Sequence, residues 1–179
     1  MIRVFAALSL PPEIATVLSL AQSGIRDARW RPRESLHVTL RFFGEVAENI
    51  ADDLDSELAG VSAPRFGMAL SGAGCFGEGP QISAVWAGIA PSPALGRLAR
   101  ACETAARRCG LKPDARRYTP HVTLAYLRRP DPVAVAAWIQ ANNLLRSAVF
   151  DVNTFGLYSS RLGGEGSTYR LERVYPLHV

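Results

Sequence analysis

The apolar residues of this chain change their period several times, and each change marks a predicted element. Ile2 to Leu10 is a β-branched and aromatic-containing run that stops at Pro11-Pro12, which predicts a first strand. Pro12 suits the first turn of a helix, where its missing N–H would have had no partner. Ile14, Val17, Leu18, Ala21 and Ile25 then recur at helical spacing, with Gly24 near the end. Arg29-Trp30-Arg31-Pro32 breaks that pattern and leads into a strand from His37 through Arg41-Phe42-Phe43 to Gly44. Glu48 to Gly60 returns to the helical period, with Ile50, Leu54 and Leu58 on one face. Its acidic residues gather towards the N-terminal end, as the helix dipole favours.

Pro64 to Leu70 and Ile82 to Ile89 read as strands. The glycine-rich stretch between them, Ser71 to Pro80, reads as a loop, for it holds neither G-K-[ST] nor G-x-G-x-x-G. Pro93 to Cys109 is the clearest helix, with Leu95, Leu98, Ala99, Cys102, Ala106 and Cys109 as its apolar stripe and Gly110 as its stop. Lys112 to Pro120 is a basic, proline-marked approach to a strand that opens at His121. Asp131-Pro132 supplies an N-cap and first turn for a helix through Val135, Trp138 and Ile139. Ala148 to Leu157 and Thr168 to Leu177 read as closing strands, joined by a turn-rich hairpin loop from Ser159 to Gly166. Strand, helix, strand, helix and strands thus occur twice, a weak repeat of about 84 residues. The expectation is an α+β fold, with residues 1–179 forming a single bilobal domain. Two pseudo-symmetric lobes would carry antiparallel-rich sheets flanked by outer helices, with a cleft between them.

Composition narrows the class. An apolar share of 48% in 179 residues supports a core and excludes disorder. No apolar run approaches the ~20 residues of a membrane span, and Arg3 precedes a short run, Val4 to Leu10, that reads as a strand rather than a leader. A cytoplasmic location with no membrane partner is expected. The net charge of +4 suits an anionic partner without requiring one. No block of like charge is long enough for a nucleic-acid-binding tail. Cys75, Cys102 and Cys109 lack C-x-x-C spacing and read as small buried hydrophobes in a reducing compartment.

The candidate chemistry lies in a repeat of four letters. His37-Val38-Thr39-Leu40 returns as His121-Val122-Thr123-Leu124, and these copies hold two of the three histidines. In a strand, residues two apart share a face, so each copy offers an imidazole beside a hydroxyl, with Val and Leu turned to the core. Two histidines form an acid–base pair near neutral pH. In-line displacement at phosphorus needs a base at the attacking oxygen and an acid at the leaving one, and one histidine from each lobe can supply them. Thr39 and Thr123 can donate to the non-bridging oxygens. The scheme requires no metal or other cofactor, and a zinc site would need a third ligand for which His178 is poorly placed.

These motifs carry a resemblance. Arg3 to Leu8, Leu36 to Gly44, Pro120 to Ala125, and Ser159-Ser160-Arg161-Leu162 followed by Tyr169 resemble the 2H phosphoesterases. Within that superfamily they resemble the LigT-like RNA 2′,3′-cyclic phosphodiesterases, formerly called 2′-5′ RNA ligases. The resemblance implies a metal-independent enzyme that opens 2′,3′-cyclic phosphates at RNA ends to 2′-phosphomonoesters, with 2′-5′ ligation in reverse. It implies His37 as proton donor and His121 as proton acceptor, roles that the symmetry of the two motifs leaves open. The partners would be RNA ends or nucleotides bearing a 2′,3′-cyclic phosphate, bound by a monomer.

One departure stands out. Members often carry arginine just after the second motif, where this chain has Tyr126. Arg41, Arg128 or Arg129 could supply the phosphate-binding charge, Arg41 foremost because His37+4 shares the histidine face of a straight strand. Tyr118 is a candidate to stack on a terminal base, whereas core packing is the stronger expectation for Phe43. Two alternatives keep the motifs: an RNA-end or nucleotide-binding module with little turnover, and a phosphodiesterase acting on another small cyclic phosphate.

Overall fold

Alternation of apolar residues on the strands, and apolar stripes on the helices, require each element to cover one face with another. The computed structural model describes residues 1–163 and 166–178 and shows how that requirement is met. In chain order the elements are β1 (Ile2–Ser9), α1 (Pro12–Leu20), β2 (Arg29–Trp30), β3 (His37–Val46), α2 (Glu48–Ala59), β4 (Phe66–Met68) and β5 (Leu70–Phe76). There follow β6 (Ala84–Ile89), α3 (Pro93–Arg108), β7 (His121–Tyr126), α4 (Pro132–Asn142), β8 (Phe150–Val152), β9 (Thr154–Gly163) and β10 (Gly166–Pro176). The fold is α+β with antiparallel sheets. The main sheet runs β10-β9-β1-β3-β7-β6-β5, β2 adds to β7, and β4 pairs with β8 in a separate ribbon.

Local chemistry sets the helix ends. Ser92 caps α3 by accepting a hydrogen bond from the Leu95 N–H, and Asp131 caps α4 by accepting one from Val133. Leu95, Leu98, Ala99, Cys102 and Ala106 bury the stripe of α3, while the Trp138 indole of α4 donates to the Ala21 carbonyl at 2.8 Å. Cys102 is buried, whereas Cys75 and Cys109 are half-exposed; all three are free thiols. No helix of the described residues is long and apolar enough to cross a membrane.

The two lobes are not the two halves of the sequence. β3 and β7 meet through one register pair, Val38 opposite Val122, which divides the sheet into β3-β1-β9-β10 and β7-β6-β5. β5, from the first half, pairs with β6, and β9, from the second half, pairs with β1. The first half of the chain thus lends β2, β5 and β6 to the lobe of β7, and the second half lends β9 and β10 to the lobe of β3.

Several expected boundaries move. Ser71 to Phe76 lies in strand β5 rather than in a loop, and only the part from Gly77 onward turns. Its glycines serve close approach: a Cβ at Gly74 would meet the Trp86 ring at 2.5 Å. The expected Pro64–Leu70 strand is the shorter β4, and the Ala148–Leu157 strand divides into β8 and β9. The hairpin loop expected over Ser159–Gly166 is instead strand up to Gly163 and again from Gly166, while residues 164 and 165 lie outside the described residues. The first helix ends at Leu20, short of Ile25, and Arg29-Trp30 forms β2.

Candidate active site

Both HVTL copies fold into strands because Val and Thr favour the extended backbone and Val and Leu have a core to enter. Val38 and Val122 are fully buried, as is Leu124, and Leu40 is nearly so. Since Val38 stands opposite Val122, alternation turns His37, Thr39, His121 and Thr123 together to the other face of the sheet. All four are half-buried there. The repeat is therefore also a spatial pair, its two copies running antiparallel about the Val38–Val122 contact.

The pair is held alike on both sides. His37 Nδ1 lies 2.8 Å from the Ser35 carbonyl, and His121 Nδ1 lies 2.7 Å from the Thr119 carbonyl. A carbonyl only accepts, so each Nδ1 carries the hydrogen and each Nε2 is the working nitrogen. Each ring has its own aromatic support. Phe5 and Tyr169 lie 5.0 and 5.1 Å from the His37 ring, and Phe76 and Trp86 lie 4.7 and 6.0 Å from that of His121. Burial lowers both imidazole pKa values. His37 falls to about 4, with the charges of Arg31 and His121 adding to the effect of burial.

Arg31 was not among the residues singled out from sequence, yet it is one of the most buried polar groups, 9% exposed. β2 lies against β7 with Arg29 opposite Tyr126 and Trp30 opposite Ala125, and the Arg31 N–H donates to the Leu124 carbonyl. Its guanidinium carbon lies 5.6 Å from the ring centre of Tyr126 and 5.1 Å from that of Tyr169. Tyr126 itself is 44% exposed, at the end of the second motif strand.

Arg41 is the candidate that the structure does not bring to the site. Leu40 is an extra residue in the β1–β3 register, so strict alternation ends there and position His37+4 does not inherit the histidine face. The Arg41 guanidinium is engaged by Glu103 of α3, by the Phe42 carbonyl, and by the Lys112 carbonyl at 2.8 Å. A concavity bordered by Arg41, Phe43, Leu111 and Arg116 includes neither motif histidine. Arg128 and Arg129 are exposed in a turn, and Phe43 is buried in the core. Tyr118 does reach the site: its hydroxyl donates to the Thr39 carbonyl at 3.0 Å, tying the approach to β7 onto β3. His178, the third histidine, bridges to Pro64, and among the described residues no group of three or more His, Cys, Asp or Glu could hold a metal ion.

Comparison with known proteins places this geometry. The model of the 2′-5′ RNA ligase superfamily matches residues 11–164. The chain belongs to that superfamily. An RNA 2′,3′-cyclic phosphodiesterase of Aeropyrum pernix is 31% identical over 140 residues, covering 76% of this chain and 79% of that protein. One from Thermus thermophilus is 31% identical over 189 aligned residues, covering 98% and 90%. The crystal structure of Escherichia coli LigT complexed with 3′-AMP superposes with a TM-score of 0.78 at 26% identity, covering 98% of each chain. Within this superfamily fold, the sequence signals for the motif residues were strong because they repeat. Arg31 had only the local sign of an arginine beside Trp30, and its placement depends on a strand pairing about 95 residues away in sequence.

Proposed function

We propose that this chain is a phosphodiesterase that opens 2′,3′-cyclic phosphates at RNA ends, through two-histidine acid–base catalysis. The observation that carries the reading is the Val38–Val122 pairing, which sets two imidazoles and two threonines on one face with both Nδ1 atoms tied down. The relatives named RNA 2′,3′-cyclic phosphodiesterase support the substrate class. We take residues 1–179 as one bilobal domain acting as a monomer on RNA ends or nucleotides.

In this mechanism His121 Nε2 removes a proton from water as the water oxygen attacks phosphorus. The bond from phosphorus to the 3′-oxygen breaks, and His37 Nε2 gives that oxygen its proton. The products are a 3′-hydroxyl and a 2′-phosphomonoester. Thr39 and Thr123 donate to the non-bridging oxygens as negative charge builds on them. His37 is neutral in the free protein, and the negative phosphodiester favours its charged form, so the substrate arms its own acid. Both proton transfers belong to imidazoles, and the scheme uses no metal ion. With a 5′-hydroxyl in place of water, the same displacement joins two RNA ends through a 2′-5′ linkage.

The test offers adenosine 2′,3′-cyclic phosphate and a cyclic-phosphate-ended oligonucleotide, with and without EDTA, and identifies the product isomer. His37→Ala and His121→Ala are each expected to lower turnover by ~10²–10⁴-fold, the usual share of a positioned acid or base. EDTA should have no effect, and the product should be the 2′-phosphate. Normal turnover in either variant would remove the mechanism, and a 3′-phosphate would reverse the two roles.

A further inference from the structure

Burial and charge are at odds in Arg31. The residue is 9% exposed, yet among the described residues no carboxylate lies within 4 Å of its guanidinium. A buried cation without a counter-charge is strongly unfavourable unless something anionic joins it. Hydrogen bonding leaves it equally underused. A guanidinium has five N–H donors, and here Nη2 donates to the Ser167 carbonyl at 3.1 Å while no other side-chain bond is made to a described residue. The Tyr126 and Tyr169 rings on which it lies offer π faces that steady a cation and fix its plane, but they do not use up those donors.

Its position says which anion it would meet. The backbone of Arg31 is bonded to Leu124, next to Thr123 of the second motif. Its guanidinium rests on Tyr169, whose ring stands edge-on to His37 of the first motif at 5.1 Å. Arg31 therefore borders both motifs, the second through its backbone and the first through its guanidinium on Tyr169. Its planar fork fits two oxygens of a phosphoryl group, a geometry that a lysine does not reproduce.

We propose that Arg31 is the phosphate-binding cation of this site, donating the N–H groups that no described residue takes up to non-bridging oxygens of the phosphoryl group held between His37 and His121. The identity of that anion as a cyclic phosphate rests on the reading given above. Tyr126 then has a defined part: it seats an arginine that arrives from another strand, at a position where the resemblance leads one to expect an arginine. Arg31 and Tyr126 act as a compensating pair.

The experiment titrates the full chain with inorganic phosphate and with adenosine 2′-monophosphate, following the His37 and His121 ring signals by NMR. It also measures hydrolysis of adenosine 2′,3′-cyclic phosphate. Arg31→Ala is expected to weaken both anions by at least about 10-fold and to lower kcat/KM on the order of 100-fold, as loss of an oxyanion donor does. Arg31→Lys should fall between, since it keeps the charge without the fork. Arg31→Ala with Tyr126→Arg should recover part of the loss by returning a guanidinium to the same neighbourhood. Unchanged phosphate affinity in Arg31→Ala overturns the proposal, as does a wild-type chain that binds no phosphate. If the wild type hydrolyses no cyclic phosphate, the functional reading fails alone, and the phosphate titration still decides Arg31. If Arg31→Ala does not fold, the Arg31 Nε–H signal of the wild type decides, identified by its loss in Arg31→Lys. A shift of that signal on adding phosphate supports the role, and no shift overturns it.

Discussion

At the scale of single residues, the two histidines share a backbone geometry but not an environment. Each donates Nδ1–H to the carbonyl two positions earlier, but Arg31 and His121 both press on His37, whereas burial alone lowers His121. The pH dependence follows. A pair in which one ring is charged and one neutral needs pH between the two pKa values, and in the free protein both lie below the ordinary imidazole value of about 6.5. The profile of kcat/KM should therefore be a bell with its alkaline limb below about 6.5 and its acid limb near 4. The profile of kcat should sit at higher pH, because the bound phosphodiester favours both charged rings. Stability carries the same sign. His37 binds its proton more weakly folded than unfolded, so its contribution is full above about 6.5 and is lost as pH falls through about 4. A thermal melt across that window should show the decline, and His37→Gln should flatten it.

At the scale of elements, glycine was the residue most easily misread. Ser71 to Pro80 has the composition of a loop, yet its first part is a strand that needs missing side chains, because Trp86 lies over Gly74 and the Ser71 carbonyl sits against Gly88. A Cβ at Gly88 would stand 2.4 Å from that carbonyl oxygen, a backbone atom that cannot swing aside. Gly88→Ala is therefore expected to destabilise the protein by about 1–3 kcal/mol, the usual range for overpacking, as read by urea denaturation. The effect should extend to activity, since β6 carries Trp86 and pairs with β7 at Thr123 and His121. Bulges misled in the same way. The Arg41 expectation assumed a straight strand, and the extra residue at Leu40 turned that arginine to Glu103. Helices were easier to read: the α3 stripe and the Asp131 cap stand where periodicity and capping chemistry put them.

At the scale of the whole molecule, the lobes are interdependent by construction of the sheet. The fragment up to Gln81 would leave β5 without β6 and β1 without β9, and the remainder would leave β6 without β5 and β9 without β1. Neither fragment alone should show a cooperative thermal transition, whereas mixing the two should restore one, as followed by circular dichroism. Two independent transitions in the separate fragments would show that the lobes are not coupled in this way. The candidate site depends on that coupling, because its two motifs touch at one register pair.

From sequence alone came most helices and inner strands, the α+β class, and the four motif residues of the candidate site, because period, capping and a repeated tetrad are local and leave local marks. Strand exchange between the lobes, the engagement of Arg41 and the seating of Arg31 on Tyr126 and Tyr169 were decided only in three dimensions. A guanidinium has the same letter whether it meets a carboxylate, water or two tyrosine rings. Its neighbours come from strands that are distant in the chain, and only their pairing says which of these it will be.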